Sequence, residues 1–184
     1  MAKIRRNSIT IIDGYNVINA WPELQKYVSS DLEHSRDLLI EKLVNYKFIT
    51  NEKIIVVFDA HYVKNNRGTK KKIKGIEVVY TKEKTNADSY IEKKVALLAK
   101  DLRNVIKVVT YDFAEQQNIL GSGATRVTPK EFKYRIIDSE NRLRLIYIEE
   151  EQKKNKGNNL SKVINNKTFE KLKNLLDKDF LTKE

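Results

Sequence analysis

Three aspartates stand where runs of β-branched residues stop. Asp13 follows Ile9-Thr10-Ile11-Ile12, Asp59 follows Ile54-Ile55-Val56-Val57-Phe58, and Asp112 follows Val108-Val109-Thr110-Tyr111. A fourth, Asp88, lies past the run Ile76-Glu77-Val78-Val79-Tyr80, inside Thr85-Asn86-Ala87-Asp88-Ser89-Tyr90-Ile91-Glu92. Short continuous apolar runs read as parallel strands buried on both faces. Sheets of that kind bind ligands beyond the carboxyl ends of their strands. Two anions about 5 Å apart repel by roughly 3 kcal/mol at an effective dielectric near 20. Several such pairs would consume much of a fold stability of about 5–15 kcal/mol. Either the carboxylates share protons or a divalent cation sits among them. Hard oxygen donors, in a chain without cysteine, suit Mg²⁺ or Mn²⁺ rather than zinc.

Each acid also has a purely structural reading. Asp13 could bond backbone amides in the turn before Gly14, and Asn16 could cap the next segment or hold Asp13 or a metal-bound water in place. Asp59 could close an Asx turn. Thr85 and Asp88 form a capping box, and Asp112 with Glu115 another. Glu92 lies one turn beyond Asp88 and could address the same cation. His61 is a candidate proton donor or phosphate contact, whereas His34 sits among charges on a helix and reads as a surface residue.

The 184 residues carry a formal charge of +11. That length suits one well-cored domain. A basic chain that clusters acids at one edge points to a polyanionic partner processed at a metal site. The absence of cysteine excludes disulfides and thiolate chemistry. No segment approaches the roughly 20 apolar residues that span a bilayer, and the short apolar run after Lys3, Arg5 and Arg6 is no signal peptide. The expectation is a cytoplasmic protein with no membrane partner.

The elements that must position the acids follow from pattern. Strands are expected at about Ser8–Ile12, Ile54–Phe58, Ile76–Tyr80 and Ile106–Thr110. Ser30 and Glu33 suggest a capping box opening a helix with Leu32, Leu39, Leu43 and Tyr46 on one face. A second helix, Asn86 to about Lys100, would turn Ile91, Val95, Leu98 and Leu102 inward. A short helix is expected from Phe113 to Leu120, and Thr128-Pro129-Lys130-Glu131 opens another. Leu143–Ile148 reads as an edge strand. Strands alternating with helices imply right-handed βαβ units. The expected division is a domain over residues 1–150 followed by a polar linker and a C-terminal amphipathic helix (Thr168–Leu181) over 151–184.

Between Asp59 and the third strand, Lys64, Arg67, Lys70, Lys71, Lys72 and Lys74 occur with no acid between His61 and Gly75. This stretch reads as a mobile loop rising from the acidic edge. It is either a solvated lysine loop or a clamp on an RNA backbone. Six phosphate contacts on single-stranded RNA would give a log–log salt slope of about −4. Tyr15 and Tyr62 are candidate base-stacking faces. Arg126, in Gly121-Ser122-Gly123-Ala124-Thr125-Arg126, belongs to a second candidate phosphate or ribosomal RNA contact, a segment that reads equally as a helix C-cap and loop.

Taken in order, these pieces resemble a NYN domain, the PIN-like nuclease branch found in YacP-type bacterial proteins. The residues carrying the resemblance are Ile11-Ile12-Asp13-Gly14-Tyr15-Asn16-Val17-Ile18, Asp31-Leu32-Glu33 with Arg36-Asp37, and Val56-Val57-Phe58-Asp59-Ala60-His61. They continue with Tyr80-Thr81-Lys82-Glu83, the Thr85–Glu92 motif, Thr110-Tyr111-Asp112, and Ala114-Glu115-Gln116 through Gly121 to Arg126. Tyr111 departs from the small residue the pattern leads one to expect. The resemblance covers about residues 8–150. It implies a PIN-like three-layer α/β/α sandwich with a central, mainly parallel sheet. It also implies a metal-dependent endoribonuclease that cuts mRNA in association with the ribosome. Asp13, Asp59, Asp88 and Asp112, with Asn16, would form the catalytic set. Asp13, Asp88 and Asp112 would hold Mg²⁺ or Mn²⁺, with Asp59 contributing directly or through water. The rivals are a PIN-like structure-specific DNA nuclease and a non-catalytic RNA- or ribosome-binding module whose acids are caps.

Overall fold

In the computed structural model the chain is described over residues 6–59, 67–82, 85–111 and 123–155. The elements in order are β1 (Asn7–Asp13), α1 (Gly14–Ala20), α2 (Pro22–Gln25), α3 (Leu32–Thr50), β2 (Lys53–Phe58), β3 (Arg67–Ile73), β4 (Ile76–Lys82), α4 (Ala87–Leu98), β5 (Asn104–Val109), β6 (Thr125–Val127) and α5 (Pro129–Asn155). The six strands form one sheet in the order β3-β4-β2-β1-β5-β6. Every pairing is parallel except β3 with β4. Contacts divide the chain into two units, Met1–Ile137 and Asp138–Glu184.

Helices cover both faces of the sheet, and alternation along the strands feeds two separate cores. Ile12, Ile54, Val56, Phe58, Ile76 and Val78 pack with Val17, Trp21, Leu39, Leu43, Tyr46 and Phe132 from α1, α3, α5 and the α1–α2 junction. On the other face Ile9, Ile11, Ile55, Val57, Ile106 and Val108 pack with Ala87, Ile91 and Val95 of α4. This is the expected α/β/α sandwich. β1 and β2 are buried on both faces, which is why they read as unbroken apolar runs rather than alternating ones.

Local chemistry explains the element ends, with corrections. The expected box at Ser30 is shifted by one residue: Asp31 caps α3, accepting from the His34 N–H at 2.9 Å. Likewise Asn86, not Thr85, caps α4 by accepting from the Ser89 N–H at 3.0 Å. The Thr128/Glu131 box forms as expected. The Thr128 N–H donates to Glu131 Oε2 at 2.7 Å, and the Glu131 N–H donates to Thr128 Oγ1 at 3.1 Å. Leu102 lies beyond the end of α4 and is 96% exposed, not turned inward. His34 is on the surface, with its ring edge-on to Tyr27 at 4.7 Å.

Two segments differ from expectation more deeply. Arg67–Ile73 is an antiparallel edge strand rather than a loop, joined to β4 by a two-residue turn at Lys74 and Gly75. Both turn residues have positive φ, 44° and 92°, the condition for a turn whose twist matches its strands. Leu143–Ile148 is helical, part of α5, not an edge strand. Within the second unit Arg142 pairs with Asp138 at 3.0 Å one turn away. The Phe113–Leu120 and Thr168–Leu181 segments lie outside the described residues.

Gly14 opens α1 directly beneath Phe58. Its requirement is space rather than a special φ, because a Cβ there would collide with the Phe58 ring. Phe58 is fully buried and held between Tyr15 (centroids 5.3 Å, edge-on) and Tyr80 (5.5 Å, stacked). Gly14→Ala is therefore expected to cost about 1–3 kcal/mol by overpacking. A chemical denaturation curve with unchanged slope and a lower midpoint would register it.

Candidate functional site

The carboxyl ends of β1 and β2 and the amino end of α4 converge on one cleft. It has a volume of about 360 Å³ and is lined by Asp13, Tyr15, Asn16, Asn19, Ala20, Asp59, Ala87, Asp88 and Tyr111. Asp13 is the last residue of β1 and also the N-cap of α1. Both of its carboxylate oxygens are engaged by one residue. The Asn16 N–H donates to Oδ1 at 3.0 Å and the Asn16 side-chain amide to Oδ2 at 2.5 Å. Asn16 Oδ1 in turn accepts from the Tyr111 N–H at 3.4 Å. Asn16 thus ties the end of β1 to the chain leaving β5: it holds Asp13 in place, whereas the cap of the helix is Asp13 itself and not Asn16.

Asp13 is 4% exposed. Burial pushes its carboxyl above the ordinary carboxylate range; the bonds from Asn16 pull the other way, and the negative charge of Asp88 adds to the rise. Asp88 sits in the first turn of α4, where the helix dipole favours a negative charge. Asp59 continues β2 and is half-buried; its Oδ2 accepts from the Ala87 N–H at 3.3 Å. The second strand end is thereby fastened to the start of α4, on the sheet face that α4 covers. Three of the four expected acids therefore share the cleft. Asp112 lies outside the described residues, as do His61, Tyr62 and Lys64. Glu92 is half-buried and is not among the residues lining the cleft.

Among the described residues no group of three acids is close enough to form a ready-made metal cage. Such a cage is not what Mg²⁺ requires. Mg²⁺ keeps several of its waters and is held by one or two carboxylates plus substrate phosphate. Asp13 and Asp88 supply that kind of donor set: all oxygen, mutually repelling, on an open cleft. The residues present fit a hard divalent cation.

The cleft's surroundings revise two sequence expectations. The Tyr15 ring is buried against Phe58 and its hydroxyl accepts from Arg36 Nη1 at 3.0 Å, so it offers no base-stacking face. Lys64 lies outside the described residues, and of the described basic residues in this stretch Arg67 alone stands near the acidic edge. In the β3–β4 register Arg67 pairs with Lys82 near that edge, Lys70 with Val79 and Lys72 with Glu77. The lysines therefore lead away to the opposite end of the sheet. There Lys47, Lys53, Lys70, Lys71 and Lys72 line a second concavity of about 560 Å³. Lys70 also lies over the Tyr90 ring at 5.3 Å. Arg126 lies in β6, with Nη2 donating to the Tyr111 carbonyl at 3.4 Å. Sequence reasoning missed Asn19, although its i+3 spacing from Asn16 on a helix starting at Gly14 is the signal that would have found it.

The sequence and the fold have known counterparts. The model of the YacP-like NYN domain matches residues 10–177. The YacP protein of Bacillus subtilis (strain 168) is 41% identical over 140 residues, which is 73% of this chain and 78% of that one. A crystal structure of Rae1 (YacP) from Bacillus subtilis superimposes with a TM-score of 0.67 at 37% identity, covering 81% of this chain and 84% of that one. A second crystal structure, of a Rae1 mutant with one tryptophan replaced by leucine, gives a TM-score of 0.65 at 35% identity, covering 77% and 81%. A mainly parallel sheet that delivers acids to one cleft, a match to the family model over most of the chain and this degree of identity agree on one conclusion: the chain belongs to the YacP-like NYN domain family.

Proposed function

We propose that this protein is a divalent-metal-dependent endoribonuclease that cuts single-stranded mRNA in association with the ribosome. The observation that carries the reading is the pairing of a buried, Asn16-oriented Asp13 with Asp88 across an open cleft. Asp13 and Asp88 would hold Mg²⁺ or Mn²⁺, joined by Asp112 as the family resemblance implies and by Asp59 directly or through water. When bound, the cation would activate a water and neutralise charge developing on the phosphate. Asn16 fixes both Asp13 oxygens, so the carboxylate would be held ready for a cation in a single rotamer. Asp59 fastens α4, and with it Asp88, to the sheet. The lysines of β3 give a phosphate backbone a path away from the cleft, and the ribosome association rests on kinship with YacP-type proteins.

Hydrolysis of this kind breaks the bond between phosphorus and the 3′ oxygen. The hydroxyl from water goes to phosphorus and its proton to the departing oxygen, giving a 5′-phosphate and a 3′-hydroxyl. The test is a 5′-labelled single-stranded RNA, a matched DNA strand and a translated mRNA with and without ribosomes, each in Mg²⁺, Mn²⁺ and EDTA. Cleavage of RNA that stops in EDTA and leaves 5′-phosphate supports the reading. Equal cutting of DNA favours the structure-specific DNA nuclease. RNA or ribosome binding without cleavage in any metal leaves a binding module.

Asn16 offers a second check. Asn16→Ala removes the bond to Asp13 Oδ2 and the acceptor for the Tyr111 N–H, while the backbone cap at Oδ1 survives. Loss of an outer partner of a metal ligand costs about 10–100-fold, and that is the fall expected in kcat/KM for RNA. The Mg²⁺ concentration needed for half-maximal rate should rise in parallel.

A further inference from the structure

We propose that Tyr111 and Asn19 form a nucleobase subsite at the mouth of the cleft, taking the base of a nucleotide next to the scissile phosphate. The inference rests on the RNA-cleaving reading above and deepens it. Tyr111 lines the same cleft as Asp13 and Asp88, yet the residue is 49% exposed. The ring belongs to neither core and lies half in water beside the carboxylates.

The backbone beneath that ring is fixed from two sides. The Tyr111 N–H donates to Asn16 Oδ1 and its carbonyl accepts from Arg126 Nη2, each at 3.4 Å. One residue earlier, the Thr110 N–H donates to the Val127 carbonyl at 3.2 Å. The ring is thus carried two residues past the end of β5, its backbone bonded to α1 on one side and β6 on the other. Such a ring stacks a base with little further ordering, and aromatic stacking tolerates any base because every base has a π-face.

Asn19 supplies what stacking lacks. It lies on α1 one turn beyond Asn16, lines the cleft and is exposed. Its amide carries both donors and an acceptor, the complement needed to read the edge of an unstacked base. Asn16, by contrast, is committed to Asp13 and Tyr111. The division of labour is therefore clear: Asn16 serves the carboxylate, Tyr111 the face of the base and Asn19 its edge.

The test is equilibrium binding, which does not depend on cleavage. Fluorescence anisotropy is read for eight-nucleotide single-stranded RNAs (about 8 nt suffices for a single groove) of each base, and for an abasic strand of the same length. Ca²⁺ replaces Mg²⁺ in every titration. The proteins are wild type, Tyr111→Ala, Tyr111→Phe, Asn19→Ala and the control Lys71→Gln/Lys72→Gln. Tyr111→Ala should weaken base-bearing RNA roughly ten-fold, the factor that one lost stacking contact implies, and leave the abasic strand unchanged. Tyr111→Phe should stay within about two-fold of wild type, because stacking needs no hydroxyl. Asn19→Ala should narrow the spread of affinities among the four bases. Tyr111→Ala binding every RNA as wild type does, while the lysine control weakens, overturns the subsite alone. So does an equal loss on base-bearing and abasic strands. Wild type failing to bind any RNA overturns both the subsite and the RNA reading on which it rests.

Discussion

Asp13→Asn is expected to remove RNA cleavage, with kcat/KM falling by more than the roughly 100-fold upper range seen when only an outer partner of a metal ligand is lost. Asparagine keeps the size of the side chain and can still accept the Asn16 N–H at the start of α1, so the helix cap survives. What it removes is the negative charge that makes the cleft attractive to a cation, together with the Oδ2 acceptor of the Asn16 side-chain amide. Far-ultraviolet circular dichroism should therefore match wild type while activity is lost.

The same substitution has a signature in the pH dependence of stability. Burial, reinforced by Asp88, raises the Asp13 carboxyl above its unfolded value near 3.8. Between the unfolded and the folded value the native protein holds more protons than the unfolded chain. Stability in EDTA should therefore fall as pH rises through that window. Asp13→Asn should abolish this component. A cation, which binds the ionised form, should reverse it in wild type, so Mg²⁺ should raise the melting temperature more at pH 7 than at pH 4.

The largest stability effect is expected far from the cleft. Glu52, 9% exposed, accepts from Thr10 Oγ1 at 2.6 Å and pairs with Lys107 Nζ at 2.6 Å. Thr10 is itself 2% exposed and lies in the central strand β1. Lys107→Ala leaves a carboxylate with one neutral donor in a nearly dry setting. Breaking a fully buried pair costs about 3–5 kcal/mol. The Lys107 side chain retains 20% exposure, so the expected loss lies nearer the lower end, about 3 kcal/mol. For a chain of this size that lowers Tm by roughly 6–12 °C. Glu52→Gln combined with Lys107→Met should recover more than half of the loss, because no charge is then stranded and the amide oxygen still accepts from Thr10. If the double variant is no more stable than Lys107→Ala, charge burial is not the cause.

The strands that deliver Asp13 and Asp59 were legible because burial on both faces demands an unbroken β-branched run. The edge strand β3 was not. Its lysines mark it as an edge, where charge discourages pairing with another chain, but charge is also what a loop looks like. Leu143–Ile148 alternates like a strand over a few residues; its helical state comes from Pro129 onward, since no further proline or glycine interrupts the sequence before Asn155. The caps at Asp31 and Asn86 lay one residue from the expected ones because serine, threonine, aspartate and asparagine all serve, and neighbouring candidates compete. At the site, the acids were visible as strand ends, whereas the link from Asn16 to Tyr111 joins residues 95 apart in sequence. The burial of Tyr15 follows from Phe58, which only the fold brings against it.

A cation held between Asp13 and Asp88 is the central claim. Crystals of the wild-type protein grown with Mn²⁺, and measured at an X-ray energy where manganese scatters anomalously, test it most directly. The prediction is an anomalous peak within the cleft, bordered by the carboxylates of Asp13 and Asp88, and absent from Asp13→Asn crystals. A cleft empty of anomalous density at saturating Mn²⁺, or a peak that persists unchanged in Asp13→Asn, would contradict it.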